Sequence, residues 1–184
     1  HQAVSGAGLP GVPSLLIYDN LIPFISGEEE KVVVESKKIL GKCDGRKISP
    51  APFKIFASFN RVAVLAGHTE SVHIKFKENA SVELAEKLLT SFTANPQKLR
   101  LPSAPVHPVI IRKEQDRPQP RLDRNAGNGM AVSVGRLRQG IDEKSLAYTV
   151  SGHNLIRGAA GASILDAELL VKTGLLEELT NSNY

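Results

Sequence analysis

Within residues 60–70, an otherwise apolar stretch carries a guanidinium at Arg61, an imidazole at His68 and a carboxylate at Glu70. Arginine grips a carboxylate through two parallel hydrogen bonds, and histidine moves protons near neutral pH. A buried strand with polar residues at one end presents such groups at a pocket wall. Arg61 and His68 are seven residues apart, an odd spacing, so on one straight strand they face opposite sides. A shared pocket requires a bend between them, and Ala66-Gly67 is where the chain permits one.

The remaining reactive groups carry less. Cys43, the single cysteine, excludes an internal disulfide and fits a reducing compartment. It stands in a polar turn beside Lys42 with no histidine near it in sequence, and reads as a loop thiol. His73, His107 and His153 show no metal-ligand spacing, so no metal is expected. Neither a glycine-rich phosphate loop opening a helix nor a Gly-x-Ser-x-Gly elbow is present. The residues alone offer acid/base and anion-binding groups without a nucleophile or a cofactor cradle.

The elements that must position these groups follow from periodicity. Residues 53–65 read as one strand and 69–77 as the next, where Val72, Ile74 and Phe76 alternate with polar neighbours. Residues 15–18 form a short apolar strand candidate after a glycine- and proline-rich loop over 4–13. Ser26 with Glu29 three positions on predicts a capping box at a helix start. Glu28, Glu29 and Glu30 also suit the positive end of that helix, which should stop near residues 40–41. Ser81 caps another helix, whose Val82, Ala85, Leu88, Leu89 and Phe92 form one apolar stripe ending at Asn95-Pro96. A proline-punctuated arm over 101–124 holds a short strand at 109–111, and its last thirteen residues contain five cations and three anions. That mixture suits an exposed loop or an interface arm better than a nucleic-acid patch. A tight turn over 125–129 leads to two further strands, starting near residues 130 and 144. Small residues between 154 and 172 predict a closely packed final helix.

The implied fold class is α+β, a mixed, largely antiparallel sheet with helices on one face. One domain spans residues 1–174, its final helix at 154–174, with a tail over 175–184. Hydrophobic content of 41% and charged content of 23% are globular values. Apolar runs fall short of the roughly 20 residues that span a bilayer, and no secretory leader pattern opens the chain. A soluble cytoplasmic chain without membrane partners is expected. A net charge of +4 permits nucleic acid, but aromatic content of 5% without tryptophan leaves few stacking platforms. No nucleic-acid partner is expected.

Nearly the whole chain also resembles aspartate-semialdehyde dehydrogenase, in the branch shared by fungi and archaea. The likeness is carried by Gln2-Ala3-Val4-Ser5-Gly6-Ala7-Gly8, by Asn20-Leu21-Ile22-Pro23-Phe24-Ile25-Ser26-Gly27-Glu28-Glu29-Glu30-Lys31, and by residues 60–70. It continues through Arg117-Pro118-Gln119-Pro120-Arg121-Leu122-Asp123 and His153-Asn154-Leu155-Ile156-Arg157-Gly158. The resemblance implies a fold like the C-terminal domain of glyceraldehyde-3-phosphate-dehydrogenase-like enzymes. It implies that Arg61 grips the substrate carboxylate, His68 is the general acid/base, and Gln2 aligns the reacting carbonyl. By the same likeness Glu28 holds the substrate amino group, Lys31 the phosphate, and Asn154 contacts the nicotinamide. The family's NADP-binding half and its nucleophilic cysteine precede the region matched here. NADP therefore belongs to the intact enzyme, and no cofactor is expected on this chain alone, which should be inactive. Aspartate semialdehyde and phosphate are the implied substrates, in lysine, threonine and methionine biosynthesis. A homo-oligomer, dimer or tetramer, is implied as well. Lacking its partner domain, the final helix should be swapped onto another subunit or loosely held. The alternatives are a non-enzymatic self-association module and N-acetyl-glutamyl-phosphate reductase, the latter a poor match to Glu28 and Lys31, which suit a free amine.

Overall fold

The computed structural model describes residues 1–8, 11–45 and 47–177. Most of the expected tail, from residue 178 on, and positions 9 and 10 of the opening loop lie outside the described residues. The elements in chain order are α1 (Ser14–Ile17), β1 (Leu21–Ile22), α2 (Glu28–Ile39), β2 (Lys42–Cys43), β3 (Ile48–Ser49), β4 (Arg61–Val62) and β5 (His68–Lys75). They continue with α3 (Val82–Thr90), α4 (Asn95–Lys98), β6 (Val109–Arg112), α5 (Pro120–Asp123), β7 (Val132–Gln139), β8 (Ser145–Gly152) and α6 (Gly161–Thr173).

The sheet that carries the site is four-stranded in the order β5-β8-β7-β6. Two of its pairings are antiparallel, and β6 runs parallel to β7. It is mixed and largely antiparallel, as the pattern implied. β5 alternates as its sequence requires: Val72 and Ile74 are partly buried while Ser71, His73 and Lys75 face water. Helix α3 starts where expected, the Ser81 hydroxyl accepting the Leu84 N–H at 3.2 Å, and it packs on β6 and β7. Leu88 and Phe92, assigned to its inner stripe, are instead exposed.

Four local expectations are corrected. Residues 15–18 form most of a helical turn, not a strand. The Pro13 carbonyl accepts the Leu16 N–H, only Ile17 is buried, and the Asn20 side chain closes the turn on the Leu16 carbonyl. The capping box at Ser26 does not form, because Gly27, with φ +74°, is the N-cap of α2 and pushes Ser26 outside it. Glu29 accepts the Phe59 N–H at 3.2 Å, a long-range anchor rather than a local cap. Of the strand expected over 53–65, only β4 pairs in a ladder, with β1, and Phe56 is left exposed. Asn95-Pro96 opens α4 rather than ending α3.

Helix α6 packs one face on its own chain. Leu165 buries against Leu101 and Met130, with Leu99, Ile156 and Leu169 around them. A Cβ at Gly161 would lie 2.5 Å from the Met130 sulfur, so the small residue is what lets helix and turn touch. Glu168 adds two anchors, accepting the Ser103 N–H at 3.0 Å and its hydroxyl at 2.8 Å. The outer side, with Ile164 and Val171, stays exposed. Among the described residues no helix is long and apolar enough to cross a membrane.

A buried ionic node fixes the arm before β7. The Asp123 carboxylate, fully buried, accepts Arg117 Nε at 2.8 Å, Arg117 Nη2 at 2.6 Å and the Gln119 N–H at 2.6 Å, and is ion-paired with Arg112 at 2.8 Å. Burial alone would raise its pKa. The bonds from Arg117 and Gln119 and the Arg112 charge outweigh that and hold it below the usual carboxylate value. The node sets α5 against β8, a placement that bears on the site.

Candidate active site

The first residues run as an extra lane beside the stretch that opens the sequence. Gln2 N–H bonds the Asn60 carbonyl, Val62 N–H the Gln2 carbonyl, Val4 N–H the Val64 carbonyl and Ser5 N–H the Leu65 carbonyl, at 2.8 to 3.2 Å. The lane then tightens into a 3₁₀ turn over Val4–Ala7, which sets Gly6 between the reactive groups. A Cβ at Gly6 would lie 3.1 Å from Arg61 Nη1, 3.3 Å from His68 Nε2 and 3.8 Å from Asn154 Nδ2. Arg61, His68 and Asn154 therefore converge on one point, the space where a side chain at Gly6 would begin.

The odd spacing of Arg61 and His68 is resolved where the sequence allowed. β4 ends at Val62, the chain turns at Gly67 with φ +101°, and β5 begins with His68. Glycine is required at this bend: the left-handed backbone strains any other residue, and an added Cβ would sit 3.1 Å from Pro120 Cβ and 3.3 Å from Arg124 Cβ.

Hydrogen bonds and an ion pair join four of the six sequence candidates, Arg61, Gln2, Glu28 and Lys31, and Asn154 is tied to the residue before His68. Buried Arg61 donates through Nη1 to the Ala3 carbonyl at 2.9 Å and to Gln2 Oε1 at 3.3 Å. Its Nη2 and Nε make no hydrogen bond among the described residues. Gln2 Nε2 donates to Glu28 Oε2 at 2.9 Å, and Lys31 stands 3.6 Å from Glu28. Lys31, more than half exposed, reaches the group only through Glu28. Asn154 is held at both ends, its Oδ1 accepting the Gly67 N–H at 2.7 Å and its Nδ2 donating to Ser5 Oγ at 2.9 Å. One Nδ2 hydrogen remains for a ligand.

His68 Nε2 is buried without a hydrogen-bond partner. Burial lowers the His68 pKa most, the amino terminus of His1 and the Arg61 guanidinium lower it further, and Glu28 opposes them. The neutral form of the ring is thus favoured, with an orphaned nitrogen beside a guanidinium. Such a site can fix a carboxylate at Arg61, attract an ammonium to Glu28 and exchange a proton at His68. An open cleft beside it is walled by His68, Glu70, Gly152, His153, Asn154 and Arg157.

Sequence reasoning missed three contributors. Ser5 anchors Asn154, Gly6 makes the common ground of the site, and Arg124 donates through Nη1 to the Ala66 carbonyl at 3.1 Å. Of these only Gly6, in the glycine-rich opening loop, carried a local signal; the other two act across 58 or more residues. Cys43 is exposed on the β2–β3 hairpin, among none of these groups. His153 Nδ1 accepts the N–H groups of Leu155 and Ile156, a structural use. Among the described residues no cluster of three or more His, Cys, Asp or Glu side chains could hold a metal.

Residues 1–157 match the family described as semialdehyde dehydrogenase, dimerisation domain. An aspartate-semialdehyde dehydrogenase of Archaeoglobus fulgidus is 55% identical over 95% of the chain, which covers 50% of that relative. A malonyl CoA reductase (NADP) of Metallosphaera sedula is 40% identical over 96% of the chain, again covering 50% of the relative. Among solved structures, aspartate semialdehyde dehydrogenase with NADP from Candida albicans superposes with a TM-score of 0.84 at 42% identity, over 95% of this chain and 49% of that one. The chain spans about half the length of the curated relatives it matches.

Proposed function

From a chain that belongs to the semialdehyde dehydrogenase family, through its dimerisation domain, we propose the catalytic and dimerisation half of an NADP-dependent aspartate-semialdehyde dehydrogenase. The whole protein would interconvert aspartate semialdehyde plus phosphate and aspartyl 4-phosphate. The observation that carries this reading is the convergence of Arg61 Nη1 and His68 Nε2 on Gly6, with Gln2 and Glu28 linked to Arg61.

Arg61 spends one nitrogen on the protein, so Nη2 and Nε are left to hold the substrate carboxylate in a fork. Glu28 receives the substrate amino group, and Lys31 beside it offers a cation to phosphate. Gln2, fixed between Arg61 and Glu28, keeps the reacting carbonyl in register. Net oxidation of the aldehyde in the presence of phosphate releases one proton, and neutral His68 accepts it at Nε2. In the biosynthetic direction His68 returns that proton. NADP, when bound, supplies the hydride acceptor. The residues of this chain fit it only at one edge, where Asn154 keeps a single N–H for the nicotinamide amide. The nucleophile and the nucleotide cradle must come from elsewhere in the whole protein.

Glu28 also bears on the choice between the two substrates named among the relatives. A malonyl substrate has a carboxylate for Arg61 but no amino group, so Glu28 would keep only Gln2 and Lys31 as partners and gain nothing from the ligand. The test is NADP reduction with aspartate semialdehyde and phosphate, using this chain joined to a cysteine-bearing nucleotide-binding half. Turnover is expected with that pair, little with malonate semialdehyde supplied with either phosphate or coenzyme A, and none from the chain alone. A preference for malonate semialdehyde would overturn the substrate assignment, and activity of the chain alone that Cys43→Ser abolished would overturn the missing-nucleophile reading.

The family description supports self-association, and a dimer is the form proposed here. Leu15, Tyr18, Phe24, Phe56 and Leu65 are exposed in the first 65 residues, an apolar surface of the kind that partners cover. Sedimentation at micromolar concentration should give twice 19.8 kDa; a single species at that monomer mass would refute it.

A further inference from the structure

The peptide unit between Ala66 and Gly67 is gripped at both of its polar ends by residues far away in sequence. Arg124 Nη1 donates to its carbonyl at 3.1 Å, and Asn154 Oδ1 accepts its N–H at 2.7 Å. A peptide plane held at both atoms has no freedom to rotate about its flanking bonds, and the next residue is His68. On its glycine side the unit also abuts Pro120 and Arg124, whose β-carbons leave no room for a side chain at Gly67. Arg124 is itself immobilised as the C-cap of α5, directly after the buried Asp123 node. One rigid path thus runs from that node through α5 and Arg124 to the bend that aims the imidazole.

We propose that Arg124 is a positioning residue: by clamping the Ala66–Gly67 peptide against Asn154, it points His68 Nε2 at the ground it shares with Arg61. Among the described residues Arg124 makes no hydrogen bond to Gly6 or His68, and its hold on the imidazole runs through the backbone. The proposal rests on the reading of His68 as the proton carrier, but its geometry is testable without turnover. Two features distinguish it from general stiffening. The bond is to a carbonyl one residue removed from the histidine, and the guanidinium supplies a donor where the backbone has none: Ala66 precedes the ladder of β5, whose pairing with β8 starts at His68.

The experiment is proton NMR on this chain, following the His68 ring and the nuclear Overhauser contact between its Cε1–H and the Gly6 α-protons. In Arg124→Met, which keeps an unbranched apolar stem and loses the donor, that contact is expected to fade. The His68 titration should rise toward the ordinary histidine value as the ring gains solvent and leaves Arg61. Arg124→Lys, which keeps a donor within reach of the carbonyl, is expected to retain both signals. The nearby His153 monitors charge alone. Burial and then the Arg124 charge lower its pKa, so its titration should rise in Arg124→Met and stay in Arg124→Lys. Should Arg124→Met fail to fold, Arg124→Gln, whose amide ends two bonds short of Nη1, serves the same comparison with the same expected loss. An unchanged Gly6 contact and His68 titration in the folded variant would overturn the proposal. So would equal displacement in the Met and Lys variants, because the hydrogen bond would then not be the cause. Failure of the proton-carrier reading shows itself differently, as activity that survives loss of the imidazole with this geometry intact.

Discussion

His68→Ala, in the chain joined to its cysteine-bearing half, should lower kcat by roughly 10²- to 10⁴-fold, the usual share of a positioned acid/base, with KM little changed. The pH dependence is specific. Burial, the largest cause, together with the His1 amino terminus and Arg61, keeps the His68 pKa below the ordinary 6.5 against the pull of Glu28. Joining residue 1 to a preceding residue removes the ammonium charge and leaves burial and Arg61 in place. The acid limb of the oxidative pH–rate profile should therefore lie below 6.5, and Glu28→Gln should move it further down. The same shift fixes the sign for stability. The unfolded chain takes up a proton at His68 more readily than the native one, so stability is lost as pH falls from 6.5 toward the native value and is unaffected by this group above 6.5. A profile whose acid limb stayed in place after His68→Ala, with kcat within threefold of the parent, would remove the imidazole from the reaction.

Arg61→Lys should be nearly as damaging, by a different route. Two charge-assisted hydrogen bonds to a substrate carboxylate are worth about 3 to 6 kcal/mol, so kcat/KM should fall by roughly 10²- to 10⁴-fold at 1.36 kcal/mol per decade. Lysine keeps the charge but offers a single nitrogen, which the Ala3 carbonyl and Gln2 Oε1 already claim in the parent protein. It cannot serve both the protein and a forked ligand. Steady-state kinetics with varied semialdehyde decides the matter: a lysine variant within threefold of the parent kcat/KM would mean that Arg61 braces Gln2 and does not bind substrate.

Much of what frames the site was legible because it is local. The alternation in β5, the Ser81 cap and the glycine at the Arg61–His68 bend each express a rule that operates over a few residues. The failures share a cause as well. Gly27 at φ +74° starts α2 where Ser26 seemed the cap, and Glu29 turns to Phe59, thirty positions away. Residues 53–59 are apolar enough for a strand yet find no edge to pair with, a property of the surroundings rather than of the segment. Site identity followed the same division. Gln2, Glu28, Lys31 and Asn154 were named through a family likeness, whereas nothing in the neighbours of Arg124 or Ser5 announces what they hold.

The bond from Asn154 to Ser5 closes a span of 149 positions, and those from Asn154 to Gly67 and Arg61 to Gln2 close spans of 87 and 59. Contacts so distant along the chain are entropically costly to close and slow to form, so the pocket is expected to complete after the local helices. A species that lacks these long-range bonds lacks the pocket. A small anion that fits between Arg61 and Lys31 would bind only the finished native state and stabilise it by about 2.7 kcal/mol at one hundred times its Kd. Occupancy of the pocket is then a gauge of complete folding as well as of substrate.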